Sequence, residues 1–222
     1  MIVHFRRRIS RQKYSVLFNS FVADIPARKA SEIALVNRKT ADRYYTLFRK
    51  AISDAAIIER EAISLSNGIE IDESYFGPKR VRGKRGRGAG RKIIVFGLMK
   101  RNGKVFTNII KHVEKDVVMP IIRRVVQSGS DIYSDGWRSY DALAVYGYNH
   151  KKVKHTENEF AREDGTHING VESYWSWTKR RLAQFNGLTQ KQFREYMLES
   201  EWRFNHRNSL RMDLKRLLKK LR

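Results

Sequence analysis

The chain has 222 residues, enough for one principal domain and a small appendage. It carries 46 Lys and Arg against 23 Asp and Glu, and a net charge of +23 makes a compact state repel itself unless a polyanion lies against it. Nucleic acid is the expected polyanion, and four Trp, ten Tyr and eleven Phe supply a real core, which excludes a mere basic tail. The chain has no Cys, which excludes disulfides and thiolate zinc sites and fits a reducing cytosol. No apolar run reaches the roughly 20 residues of a membrane span, so a soluble protein with no membrane partner is expected.

The first sixty residues read as helices, with apolar positions Leu17, Phe18, Phe21 and Val22, then Ile33, Ala34 and Val36, then Tyr44, Leu47, Phe48 and Ile52 at helical spacing. Ala27 to Lys50 has the form of two helices joined tightly near Val36–Arg38, the second capped by Thr40 or Asn37. That second helix carries Arg38, Lys39, Arg43, Arg49 and Lys50, so a helix-turn-helix entering a DNA major groove is predicted. A three-helix bundle with a solvated basic face fits the same pattern.

Helical spacing ends near Ser64 to Gly68, where the alternating run Ile69-Glu70-Ile71-Asp72 opens a second domain. Gly77 to Lys92 is a Gly-, Arg- and Lys-rich loop whose Arg82, Lys84, Arg85 and Arg87 suit a phosphate backbone. Its Gly86 and Gly88 lack the Gly-Lys-Ser/Thr ending and following helix of a phosphate loop, so no nucleotide cofactor is expected. Ile93 to Met99 and Val105 to Ile110 predict an antiparallel hairpin through Arg101-Asn102-Gly103. A helix over Val113 to Val126 interrupted by Pro120, a short strand from Ser130 to Ser134 ending at Asp135, and a helix from Trp137 to Tyr146 stopped by Gly147 follow. Lys151 to His155 reads as a last strand, Asn158 to Thr166 as a polar loop, His167 to Phe185 and Gln190 to His206 as helices, and Lys215 to Arg222 as a basic tail.

The pattern is α/β: a mixed sheet flanked by helices, preceded by a small all-helical segment. Within it Asp72 and Asp135 end or leave short buried strands, where a sheet holds a carboxylate rigidly toward a cleft, as a hard cation requires. Taken singly, an Asp after a strand is more often a turn former. Glu172 begins a helix containing Val171, Trp175 and Leu182, and Lys179, seven residues on, projects from the same face about 10 Å along the axis. One side chain suits metal and the other phosphate. Glu70 shares the Asp72 face of its strand and suits a supporting role, whereas Glu73 points the other way. Neither they nor Asp141 and Glu159 are assigned catalysis, and His167 beside a helix start is more often a cap.

With 63 positions from Asp72 to Asp135 and 37 from Asp135 to Glu172, the carboxylates and Lys179 resemble the DDE triad of insertion-sequence transposases with an RNase H-like core. The runs Ile71-Asp72-Glu73-Ser74-Tyr75-Phe76-Gly77, Tyr133-Ser134-Asp135-Gly136-Trp137-Arg138-Ser139-Tyr140, His167-Ile168-Asn169-Gly170-Val171-Glu172 and Arg203-Phe204-Asn205, with the Gly-Arg loop, are similar to one branch of small bacterial elements. The resemblance implies an RNase H-like catalytic domain over 65–210, a helix-turn-helix segment over 1–62 and a basic tail over 211–222. It implies a DNA transposase that binds element ends, cleaves by two-metal hydrolysis and joins 3′ ends to target DNA. Asp72, Asp135 and Glu172 would hold two Mg2+ ions, Mn2+ substituting, while Lys179 and Arg180 grip DNA. Asn169 competes with Glu172 as the third ligand, and Lys179 at the usual distance favours Glu172. Double-stranded DNA, further copies of the chain on that DNA, and a cytoplasmic, nucleoid location are the partners and setting implied. A DNA-binding regulator derived from a decayed transposase and a plain RNase H-like nuclease are the alternatives.

Overall fold

Five strands form one mixed sheet: β1 (Ile69–Phe76), β2 (Ile93–Lys100), β3 (Val105–Ile110), β4 (Asp131–Asp135) and β5 (Asn149–Val153), in the order β3-β2-β1-β4-β5. The computed structural model describes residues 9–77, 92–135, 138–153, 168–185 and 188–220. It divides into two units, Ala62–Arg181 and a helical unit of Met1–Glu61 with Leu182–Arg222. In the first, β1, β2 and β3 pair antiparallel, while β4 lies parallel to both β1 and β5. The predicted β2–β3 hairpin forms, its turn closed by Gly103 N–H donating to the Lys100 carbonyl at 2.8 Å, with Asn102 at φ 56°. This strand order and these directions are those of an RNase H-like α/β fold.

Alternation assigns the two faces of the sheet. Ile69, Ile71, Phe96, Leu98 and Phe106 form one core with Val118, Met119, Ile122 and Val125 of α4 (Lys115–Val125). Pro120 lies inside α4 and does not interrupt it, contrary to the sequence expectation. Proline removes one backbone hydrogen bond, at a cost of about 3 kcal/mol, and the apolar stripe seated on the sheet offsets that loss. The segment expected as an α-helix from Trp137 is a 3-10 helix over Arg138–Tyr146. Three residues per turn stack Tyr140 and Leu143 on one side, and both are fully buried against the same core. The opposite face carries Glu70, Asp72, Ser74 and Gly97 and receives α5 (Asn169–Ala183).

One further expectation changes. β1 continues four residues beyond Asp72 because Glu73 to Phe76 pair with Phe96 to Ile93, so Asp72 sits mid-strand rather than at a strand end. Asp135 does end β4. The paired register of β1 with β4 runs over Ile69↔Ile132 and Glu70↔Tyr133. Asp72 and Asp135 stand equally far beyond that register, on adjacent strands.

The helical unit contains α1 (Arg11–Val22), α2 (Ala27–Ile33), α3 (Arg38–Glu61), α6 (Gln190–Asn205) and α7 (Leu210–Lys220). α1 and α2 end in the same motif: Asp24 (φ 58°) and Leu35 (φ 50°) turn left-handed, and the next amides, of Ile25 and Val36, reach back to Ser20 and Ser31 carbonyls. Asn37, not Thr40, caps α3, accepting the Lys39 amide at 2.9 Å. Leu17, Phe21, Tyr45, Phe48 and Ile52 form the core with Trp202, Leu214 and Leu218. The last two belong to α7, so the segment read as a basic tail is an amphipathic helix. α6, expected with the catalytic domain, packs here too. A helical period reveals that a face is buried and leaves the covering element unspecified.

Arg203 accounts for part of that placement. It pairs with Glu199 at 2.8 Å and donates to the carbonyls of Phe21 and Val22 at 2.7 and 3.2 Å, at the end of α1 where carbonyls lack intrahelical amides. Glu199 also holds Arg49 of α3 at 2.9 Å, and that guanidinium stacks 4.3 Å from the Tyr196 ring. The Arg203-Phe204-Asn205 run thus carries a structural clamp. No helix among the described residues is long and apolar enough to cross a membrane.

Candidate active site

Asp72 pairs across the ladder with Gly97, and the ring of Trp175 lies directly over that glycine. A Cβ at position 97 would stand 2.5 Å from Trp175 Cζ2, so only a glycine lets α5 approach the sheet beside Asp72. Trp175 is one turn after Glu172, and Phe76, farther along β1, contacts Trp175 with ring centroids 6.0 Å apart. Lys179 Nζ lies 5.8 Å from the Phe76 centroid. α5 therefore runs alongside β1, with Glu172 and Lys179 on the flank that follows Asp72.

The start of α5 is fixed by Glu70, which is 1% exposed. Its Oε2 accepts the amide of Val171 at 2.9 Å and its Oε1 accepts from Arg101 Nε at 3.3 Å. A carboxylate at a helix N-terminus satisfies an orphan amide and complements the helix dipole. Gly170 leaves room for it, since a Cβ there would stand 2.7 Å from Glu70 Oε2. Arg101 in turn lies 3.6 Å over the Tyr133 ring of β4. One buried side chain thereby ties β1, the β2–β3 turn and the helix that carries Glu172.

Electrostatics link the three predicted carboxylates. Burial first, then the charges of Glu73, Asp135 and Glu172, push the Asp72 carboxyl up to about 7, opposed by a hydrogen bond to the Glu73 backbone. Asp135 Oδ1 is buried without a hydrogen-bond partner among the described residues. Glu172 is exposed on the first turn of α5, and Asn169, its competitor, is the exposed first residue of that helix. Among the described residues, the group with ligand atoms all within 4.8 Å of one another is His112, Glu114 and Asp116, exposed on the segment before α4 and on its first turn. Asp72, Asp135 and Glu172 act on one another through charge.

The remaining candidates fall elsewhere. Glu73 lies on the α4 face, where Tyr140 Oη donates to it at 3.0 Å; burial and the Glu73 charge keep that phenol protonated. Asp141 pairs with Lys152 at the surface. Arg38, Lys39 and Arg43 are exposed on the first turns of α3, opposite buried Ala41, Tyr44 and Tyr45, with Arg38 3.7 Å from Asp42. Lys179 and Arg180 are exposed on α5. Arg82, Lys84, Arg85, Arg87, Glu159 and His167 lie outside the described residues. Sequence reasoning missed Gly97 and Gly170, whose role arises from what approaches them. For Glu70, strand alternation gave the correct face without the helix it holds.

A mixed sheet in this order, with acidic residues on β1, at the end of β4 and at the head of the following helix, defines the RNase H-like class. The family model of the ISXO2-like transposase domain matches residues 64–205, and the chain belongs to this family of insertion-sequence transposases of the DDE superfamily. An uncharacterized transposase-like protein of Haemophilus influenzae (strain Rd) is 40% identical over 103 residues, 46% of this chain and 82% of that one. Among solved structures, a simian T-cell lymphotropic virus intasome in complex with a PP2A regulatory subunit gives a TM-score of 0.42 at 10% identity, over 65% of this chain and 50% of that one. The Mos1 transposase paired-end complex gives 0.31 at 10% identity, over 95% and 81%. The fold assignment rests on the strand order and the family rather than on these loose likenesses.

Proposed function

We propose that this transposase binds the ends of an insertion sequence, hydrolyses a phosphodiester bond there and joins the freed 3′ end to target DNA, with Asp72, Asp135 and Glu172 as its metal ligands. The observation that carries this reading is the crowding of Asp72, held near a pKa of 7 by burial and neighbouring carboxylates, beside a buried Asp135 oxygen that lacks a hydrogen-bond partner among the described residues. Such a donor set is oxygen-only and anionic, which suits Mg2+ or Mn2+ and compensates the repulsion among its members. Two divalent ions held there would supply an activated water and neutralise charge on the leaving oxygen. Asp72 on the central strand, Asp135 and Glu172 would together hold the ions. Lys179, two turns along the helix from Glu172, would hold a phosphate next to the scissile bond. Arg180 would extend that grip.

End recognition falls to the α2–α3 pair, with Arg38, Lys39 and Arg43 facing a major groove. Two ends must be processed together, so the working complex contains at least two copies; light scattering that finds only complexes of a single chain on a single DNA end would contradict this. The chemistry is tested with end-containing duplex and Mg2+ or Mn2+. Joined products are expected, and Asp135→Asn should abolish them while DNA binding survives. Intact substrate with the wild-type protein would favour a DNA-binding regulator, and nicks without joining would favour a plain nuclease.

A further inference from the structure

We propose that α7 and α1 form a second DNA-backbone surface, a groove that takes one strand of duplex DNA without regard to sequence. The groove, about 230 Å3, is lined by Arg211, Lys215 and Lys219 of α7 and by Tyr14, Ser15 and Asn19 of α1, over Phe18 and Leu218. The three cations recur every four residues and are all exposed. Leu214 and Leu218 on the adjoining side of α7 are 0% and 8% exposed, so the core fixes which way the cations face.

Several other basic residues of the helical unit are paired with a carboxylate. Arg216 of α7 pairs with Asp213, Lys29 with Glu32, Arg38 with Asp42 and Lys50 with Asp54. Among the described residues, Arg211, Lys215 and Lys219 have no ion-pair or hydrogen-bond partner. Among the described residues the groove is lined by no carboxylate, whereas the larger one lined by Arg28, Lys29 and Arg38 also holds Glu32 and Asp42. Like charges held together by a packed helix repel, and an anion that visits all three relieves them.

Spacing selects the anion. From Arg211 to Lys219 the helix rises about 12 Å, in steps of about 6 Å. Phosphates on one strand of duplex DNA advance about 3.4 Å each, so the row spans roughly three of them. Ser15 and Asn19 on the facing wall are neutral donors of the kind that position a phosphate backbone. Arg11, one turn before Ser15 in the same row of α1, is exposed and likewise without a described partner, and lengthens the track. Contacts to phosphate carry no sequence information, so binding through this row is sequence-independent.

This inference rests on the reading that the protein acts on DNA, and the test separates the two. The full chain is titrated with a random-sequence duplex and with an end-containing duplex at several salt concentrations. Replacing Arg211, Lys215 and Lys219 together by Gln, a comparable helix former, should lower the slope of log affinity against log salt by about 2 to 3 on both duplexes. Lys215→Gln alone should lower it by about 1, and serves if the triple variant does not fold. Arg216→Gln with Lys220→Gln, on the same helix outside the groove, should lower it by less than the triple variant. An unchanged slope in a folded variant, an equal loss in the Arg216/Lys220 control, or competition by polyglutamate as strong as by duplex DNA overturns the proposal. In each of those cases wild-type binding leaves the DNA-processing reading intact. Failure of the wild-type protein to bind either duplex overturns both.

Discussion

Replacing Asp72 by Asn should stabilise the protein at neutral and alkaline pH in the presence of a chelator. The Asp72 carboxyl is raised from 3.8 to about 7 by burial and by Glu73, Asp135 and Glu172. Each pH unit of displacement corresponds to about 1.4 kcal/mol, so the ionised form carries a ceiling of about 4 kcal/mol. Solvent screening of this incompletely buried carboxyl reduces the expected gain to roughly 1–3 kcal/mol. Between 3.8 and about 7 the folded chain holds a proton that the unfolded chain has released, so wild-type stability falls as pH rises through that window. Below 3.8 the penalty is absent, and above about 7 it is fully present. The Asn variant has no such dependence. Urea unfolding in EDTA should therefore give a variant advantage at pH 8 that shrinks to well under half at pH 5. Adding Mg2+ should raise the wild-type midpoint and leave the variant unmoved, since only the state that binds the ion gains from it. Equal stability at pH 8, or an advantage independent of pH, would refute the clustering of these carboxylates.

Gly97→Ala places a methyl 2.5 Å from the Trp175 ring, and overpacking of this kind costs about 1–3 kcal/mol. Because the ring is part of the helix that carries Glu172, DNA joining should fall more than the thermal midpoint does, and a parallel loss of both would count against a positioning role. Leu35 is 79% exposed with φ 50°, a conformation costly for a branched side chain, so Leu35→Gly should raise stability by about 1 kcal/mol in urea unfolding; a loss would show that the side chain has a stabilising contact. His206 sits between Glu59 at 3.0 Å and Asp213 at 2.9 Å, and although burial pulls its pKa down, those two hydrogen bonds outweigh it and raise it above 6.5. Its contribution is complete below 6.5 and is lost as pH rises through the folded value, so the stability gap between wild type and His206→Gln should narrow from pH 6 to pH 9. A gap that widens would contradict this ion-pair account.

Residues whose meaning lies in local pattern were readable in the sequence. Strand alternation placed Glu70 and Asp72 on one face, and helical spacing placed Glu172 and Lys179 on one side of α5. Asn102 and Gly103 gave the hairpin. What the sequence concealed depends on partners distant in the chain. Gly97 reads as one glycine in an apolar strand until Trp175, 78 positions later, covers it. Likewise Leu214 and Leu218 look like interruptions in a basic tail until α1 and α3 bury them. Asp72 appeared to end a strand because the alternating apolar run stops there, yet β2 continues the ladder through Phe76 by backbone pairing that needs no apolar side chain. Pro120 misled for a similar reason, since tertiary burial of one helix face outweighed a local preference.

The central claim concerns where a divalent cation binds, and anomalous scattering from crystals grown with Mn2+ and end DNA tests it most directly. Peaks bounded by the carboxylates of Asp72, Asp135 and Glu172 are predicted. Density confined to His112, Glu114 and Asp116, with none beside Asp72, would contradict the account.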